Sequence, residues 1–186
     1  MAARIEPLMT VADLDAMPED GNRYEVIEGE LFVSRAPGLP HQLVFGNIFA
    51  NLWNYLAAKP IGRVVATPGL VFGQHSGVIP DIVFFTHTRD AEMISGGHLV
   101  AAPDLVVEIL SPGPENAARD RVAKRQLYAK HGVKEYWIVD GENRAVEIYR
   151  LSDKNLELSA MLKVGDEITS PLLPGFNSPL ANIFEQ

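Results

Sequence analysis

Two apolar runs joined by a helical stretch constrain this chain more than any other feature. Leu105 to Leu110 reads LVVEIL, and Glu135 to Val139 reads EYWIV. Between them lies NAARDRVAKRQLYAKHG, a helix that Asn116 can cap, that runs to about Lys130 and that Gly132 can close. Strands connected through a helix are typically parallel, because a tight hairpin cannot join parallel strands. Parallel strands are buried on both faces and read as nearly unbroken apolar runs. The pattern therefore predicts two neighbouring central strands with a crossover helix laid on the sheet. Glu108 is the only charge in the first run, and a carboxylate buried there needs a partner. A second stretch, VIPDIVFF from Val78, also places Pro-Asp before an apolar run, as PDLVVEIL does from Pro103.

The remaining periodicities fit a mixed α+β domain built around that unit. Tyr24–Ile27 and Leu31–Ser34 predict a hairpin around Glu28 and Gly29. A helix is expected from about His41 to Ala58, because Phe45, Ile48, Leu52 and Tyr55 recur at helical spacing. Pro40 suits its first turn, and Pro60 and Gly62 end it. Short strands are expected at Gly62–Thr67, Leu70–Phe72 and Ile82–Phe85, and an irregular helix within Thr86–Gly97. Ala145–Leu151 should pair back on Glu135–Val139, with further short strands in the tail. Residues 1–20 read as a leader with one short helical turn, and residues 21–186 as a single domain. The expected architecture is a central mixed sheet flanked by helices.

Composition narrows the function classes. Of 186 residues, 47% are hydrophobic and 22% charged, enough to bury a core. No apolar run approaches a membrane span, and MAARIEPLMT lacks the apolar stretch of a secretory signal. The absence of cysteine excludes disulfides, thiolate catalysis and cysteine-based zinc sites, and a cytoplasmic protein is the expectation. The net charge of -8 argues against a broad basic surface that coats nucleic acid. It leaves room for carboxylates that hold a metal ion against phosphate, with Arg119, Arg121, Arg125 and Lys130 among the residues of a modest basic patch. The five histidines show no zinc spacing, and phosphate-loop, dinucleotide and nucleophile-elbow motifs are missing.

Asp81 stands just before one core strand and Glu108 lies near the far end of another. On adjacent strands they can converge, and two close carboxylates repel unless a cation or proton joins them. Mg²⁺ needs only one or two protein carboxylates and keeps water or phosphate elsewhere. The competing reading makes Asp81 a turn cap and Glu108 a solvent-facing strand end. On the crossover helix, Asp120, Lys124 and Tyr128 are four apart and share a face. Lys124 can orient water or neutralise phosphate there, or it can form a surface pair with Asp120. Glu28 and Glu30 flank Gly29, and either can reach the same metal. His41 opens the long helix, where it can contact phosphate, support a carboxylate or cap the helix.

The pieces IPDIVFF, APDLVVEILSPG and RDRVAKRQLYAKHGVKEYWIVD resemble the Uma2 family of the PD-(D/E)XK nuclease superfamily. The resemblance spans most of the chain, from YEVIEGELFVS to LLPGF. It implies a restriction-endonuclease-like core and phosphodiester hydrolysis, with DNA as substrate and Mg²⁺ or Mn²⁺ as cofactor. Asp81 matches the Asp of the PD motif, and Glu108 the acidic residue of the second half-motif. The superfamily lysine two residues later is replaced by Leu110, and the resemblance transfers its role to Lys124. Glu30 matches the N-terminal acidic position, His41 a histidine at the start of the first long helix, and Asp120 and Tyr128 family-typical helix positions. The implied metal shell is Asp81, Glu108 and the Ile109 backbone carbonyl, with Glu30 through water. A homodimer is also implied. Two alternatives stand beside it: a catalytically silent nucleic-acid-binding module, and a structural or interaction protein on the same fold.

Overall fold

The computed structural model describes residues 8–185. The start of the expected leader lies outside them. Its helical turn is Val11–Ala16, of the tighter 3-10 type. Strands β1 (Asn22–Ile27) and β2 (Glu30–Arg35) form the first hairpin. Glu28 (φ 51°) and Gly29 (φ 85°) both adopt left-handed backbone, as a type I′ turn requires. Helix α1 (Leu39–Ala58) follows, with Pro40 in its first turn. Then come β3 (Gly62–Ala66), β4 (Leu70–Val71), β5 (Gly77–Val78) and β6 (Ile82–Thr86). The ambiguous polar segment resolves into a turn, the short helix α2 (Asp90–Met93), and the two-residue strands β7 (Ile94–Ser95) and β8 (His98–Leu99). Gly96 and Gly97, both at positive φ, make the turn between those strands.

Strand β9 (Leu105–Ile109) leads into the crossover helix and returns as β10 (Glu135–Asp140). These two strands are parallel, with Leu105 opposite Glu135 and Ile109 opposite Val139, as the apolar runs predict. β11 (Ala145–Ser152) and β12 (Asn155–Lys163) complete one side of a six-stranded sheet ordered β12-β11-β10-β9-β6-β3. β12 is longer than the short tail strands expected. Most of its side chains are exposed, so it carries little hydrophobic periodicity to read. β13 (Glu167–Ile168), β14 (Ser178–Pro179) and a last turn at Ala181–Phe184 close the chain. No helix among the described residues is long and apolar enough to cross a membrane.

The crossover has three parts: Pro114–Ala118, a π-wound segment Arg119–Lys124, and Arg125–His131. Gly132 closes it at φ 86° as expected. Asn116 does not cap it. Pro114 takes the first turn, so Asn116 lies already inside the helix, where its amide donates to the Pro112 carbonyl at 2.7 Å.

Alternation along the central strands sorts the core into two layers. Leu105, Val107 and Ile109 pack with Ile48, Leu52 and Leu56 of α1. Val106, Tyr136 and Ile138 pack with Leu127, Tyr128 and Ala129 of the crossover helix on the other face. That second layer also contains Ile27, Leu70 and Val78, which belong to a second sheet, ordered β2-β1-β5-β4-β8-β7. The second sheet covers the crossover helix, so the helix face that the sequence leaves open to solvent is interior.

Candidate active site

β6 and β9 run antiparallel, with Ile82 opposite Val107. One step along that register sets Asp81 opposite Glu108, and both are buried. Glu108 shares its parity with Val106 and so faces the crossover helix. There the Lys124 ammonium donates to Glu108 Oε1 at 3.0 Å, and the Tyr128 hydroxyl donates to the same oxygen at 2.7 Å. Lys124 Nζ is also 2.9 Å from Glu25 Oε1 and 3.9 Å from Asp120 Oδ1. Lys124 thus ties the central sheet to β1 of the second sheet. The π-wound turn carries both Asp120 and Lys124 into the interior, each about 1% exposed. Such wide turns recur at functional sites.

Asp81 is oriented from three sides. The Ile109 amide and the His41 Nε2–H donate to Oδ2, at 2.8 and 3.2 Å. Arg23 Nη1 donates to Oδ1 at 3.3 Å. Arg119 Nε donates to Asp120 Oδ1 at 3.1 Å, and its guanidinium reaches to 4.0 Å from Glu25 Oε2. The Ile79 amide fixes Glu25 at 2.7 Å. Asp81, Glu108, Glu25, His41, Arg119 and Lys124 line one polar cavity of about 20 Å³, enough for a single water or a bare ion.

The electrostatics divide the acids. Burial works against charge on Asp81, but His41, the Ile109 amide and Lys124 outweigh it and hold its carboxyl below the ordinary range. Burial pushes Glu108 up to about 8, helped by Asp120, Asp81 and Glu25 and opposed by Lys124. Burial raises Asp120 as well, against Lys124 and Arg119. Lys124 is held above its ordinary value: burial opposes its charge, and Glu108, Glu25 and Asp120 more than restore it. Lys124 is therefore a fixed ammonium; with Glu108 protonated at neutral pH, Asp81, Glu25 and Asp120 are matched by Lys124, Arg119 and Arg23.

Ionising Glu108 adds a negative charge that these cations do not balance, and a divalent ion would offset it. Asp81 and Glu108 offer hard oxygen donors on rigid strands, which suits an Mg²⁺-type site completed by water. No three acidic or histidine side chains among the described residues form a ready ligand cage. Lys124 stands between Glu25 and Glu108, so the arrangement fits a two-carboxylate site.

Asp81, Glu108, Lys124, Asp120, Tyr128 and His41 are brought together, with Ile109 lining the same cavity. The surface-pair reading of Asp120 and Lys124 is overturned by their burial. Glu30 is not brought in. It is exposed at the start of β2 and borders a separate groove with Glu28, Phe32 and Lys130. The hairpin acid that reaches the cavity is Glu25, which sequence reasoning missed along with Arg23. The available signal was a charge inside the YEVI strand, the same signal read at Glu108. The basic patch does not form: Arg121 pairs with Glu147, Lys130 with Glu28, and Arg125 lies over the Tyr149 ring.

The Uma2 family pattern, described as "Putative restriction endonuclease", matches residues 11–181. A crystal structure from Anabaena variabilis ATCC 29413, titled as "a putative nuclease belonging to DUF820", has a similar fold, with a TM-score of 0.74. The two share 20% identity, and the match covers 95% of this chain and 97% of that one. No curated protein matches the chain.

Proposed function

The chain belongs to the Uma2 family, and we propose that it is a divalent-metal-dependent endonuclease that hydrolyses phosphodiester bonds in DNA. One observation carries this reading: Asp81 and Glu108 face each other from adjacent strands across a small polar cavity that also holds a buried, ion-paired Lys124. Asp81, Glu108 and the Ile109 carbonyl would hold Mg²⁺ or Mn²⁺. Bound there, the ion would lower the pKa of a water and offset charge on the transition state. His41 and the Ile109 amide keep Asp81 ionised and aimed. Tyr128 and Lys124 fix one oxygen of Glu108 and leave the other for a ligand role. Lys124, held as an ammonium, cannot serve as the base. It stabilises the charge that develops on the phosphate and orients the attacking water. Arg23, partly exposed beside Asp81, is placed to meet a phosphate entering the cavity. We assign this activity to the cytoplasm, consistent with a chain free of cysteine.

The test is supercoiled plasmid incubated with Mg²⁺, Mn²⁺ or EDTA, with Asp81→Asn, Glu108→Gln and Lys124→Ala proteins alongside. Metal-dependent nicking that disappears in the Asp81 and Glu108 variants supports the reading. Equal nicking by all four proteins would sink it. Titration calorimetry should show the metal displacing a proton near neutral pH, because Glu108 titrates at about 8 without it.

A further inference from the structure

Helix α1 spans 20 residues without one Asp, Glu, Lys or Arg. Its inner face is accounted for by Ile48, Leu52 and Leu56, which are buried in the core. Its outer face is not. Leu39, Leu43 and Trp53 are 70%, 39% and 56% exposed, and Gly46, Ala50 and Ala57 are exposed beside them. A surface helix ordinarily turns charged residues to water.

These six outer residues fall at alternating intervals of four and three, the seam spacing of a coiled coil. The seam is also self-complementary. If two copies of α1 run antiparallel about an axis at position 48, Gly46 faces Ala50, Leu43 faces Trp53 and Leu39 faces Ala57. The exposed amides Gln42 and Asn54 then face each other as well. The small pair lies nearest the axis and permits close backbone approach, while Leu43 and Trp53 fill the space on either side. Trp53 is already held by a stack, with Phe45, Phe49 and Trp53 ring centroids successively 6.0 Å apart.

We propose that α1 is the interface of a two-fold homodimer, formed by antiparallel pairing of its outer seam with that of a second copy. The absence of charge selects this occupant. An acidic or basic partner finds no counter-charge on the seam, and a helix that lies on a membrane surface needs a basic rim. In a chain of net charge -8, a neutral face is where two copies meet with least repulsion. A closed two-fold contact requires a patch that matches itself, which this one does. The seam runs about 30 Å along the helix.

The pairing has a consequence for the site, which rests on the nuclease reading. His41 touches Asp81 and lies seven residues from position 48. Each site is thus roughly 10 Å along its own helix from the two-fold axis, on opposite sides of it. The dimer presents two cleavage centres to one duplex.

Light scattering should return twice the 20.4 kDa chain mass. Ala50→Glu, which places charge in the seam without touching the core, should return the single-chain mass with an unchanged circular dichroism spectrum. The chain has no cysteine, so cross-linking can be read cleanly. A Cβ at Gly46 meets nothing within 4 Å, so Gly46→Cys is tolerated there. A mixture of Gly46→Cys and Ala50→Cys proteins should form cross-linked dimers on mild oxidation, and neither alone should. A wild-type monomer, a dimeric Ala50→Glu protein, or self-linking of either single variant as efficient as the mixture would overturn the pairing. The mass and cross-links need no activity, so a dimer that cleaves nothing defeats only the nuclease reading. If both readings hold, Ala50→Glu nicks plasmid but yields at least tenfold less linear product.

Discussion

Asp81 and Asp104 occupy the same local pattern, each following a proline and leading into an apolar strand. Because β6 and β9 run antiparallel, the two acids end up at opposite ends of the sheet. Asp104 is fully satisfied. Arg89 and Lys134 meet one of its oxygens at 3.1 and 2.7 Å, and the Thr86 amide meets the other at 3.0 Å. Burial works against its charge, but Lys134, the Thr86 amide and Arg89 hold its carboxyl below the ordinary range. At the other end, four buried acids surround Lys124, and Glu108 is pushed up to about 8. One end of β9 is a closed structural ion pair. The other holds a carboxyl that burial keeps protonated at neutral pH, beside a cavity where a cation would favour its ionised form.

The largest test of this contrast is catalytic. Asp81→Asn and Glu108→Gln should each slow plasmid cleavage by about 10³-fold, the scale of losing a charge-positioning group. Asp104→Asn should leave the rate within about threefold, since Asp104 touches nothing in the cavity. Comparable losses at both ends would erase the distinction.

Stability comes next. Lys124→Met removes the ammonium that holds Glu25, Glu108 and Asp120 together, and urea unfolding at pH 8 should show a loss of about 3 kcal/mol. The loss should shrink at pH 5, where Glu108 takes up a proton. Asp104→Asn should cost about 2 kcal/mol. The two ends also predict opposite pH signs. Asp104 has a depressed folded pKa, so its contribution is present above about 3.8 and fades as pH falls through its lower folded value. Glu108 has a raised folded pKa. In EDTA its contribution is present below about 4.5 and is lost as pH rises through about 8. Glu108→Gln should therefore gain stability relative to wild type across that upper window, read by thermal unfolding at each pH.

The smallest effect separates the two hairpin acids. Glu30→Gln should change stability by less than about 0.5 kcal/mol, as an exposed substitution does, and leave cleavage unchanged. Glu25→Gln should slow cleavage about tenfold, because it releases Lys124 from one of its anchors. Reversal of that order would return the N-terminal acid of the site to Glu30.

Periodicity made the elements legible. The apolar runs at Leu105–Ile109 and Glu135–Val139, with a helix between them, predict parallel neighbours, and their pairing is parallel. Asp81 and Glu108 were readable because a charge against an apolar strand is costly wherever that strand sits. The helix face of Asp120, Lys124 and Tyr128 was readable as a face, but its burial was not. Burial depended on a second sheet of mostly two-residue strands, which leave little periodic trace.

The local code thus determines the strands, the crossover and the pair of acids that most need a partner. Which strand ends meet is a property of non-local pairing, and it assigns opposite roles to two Pro-Asp steps that each lead into an apolar strand. It also replaces Glu30 with Glu25. Glu30 pairs with Ile27, so Glu25 and Glu30 share one face of the first hairpin; Glu30 sits at its turn end, whereas Glu25 lies further along β1, where the Ile79 amide of the second sheet's connection to Asp81 holds it.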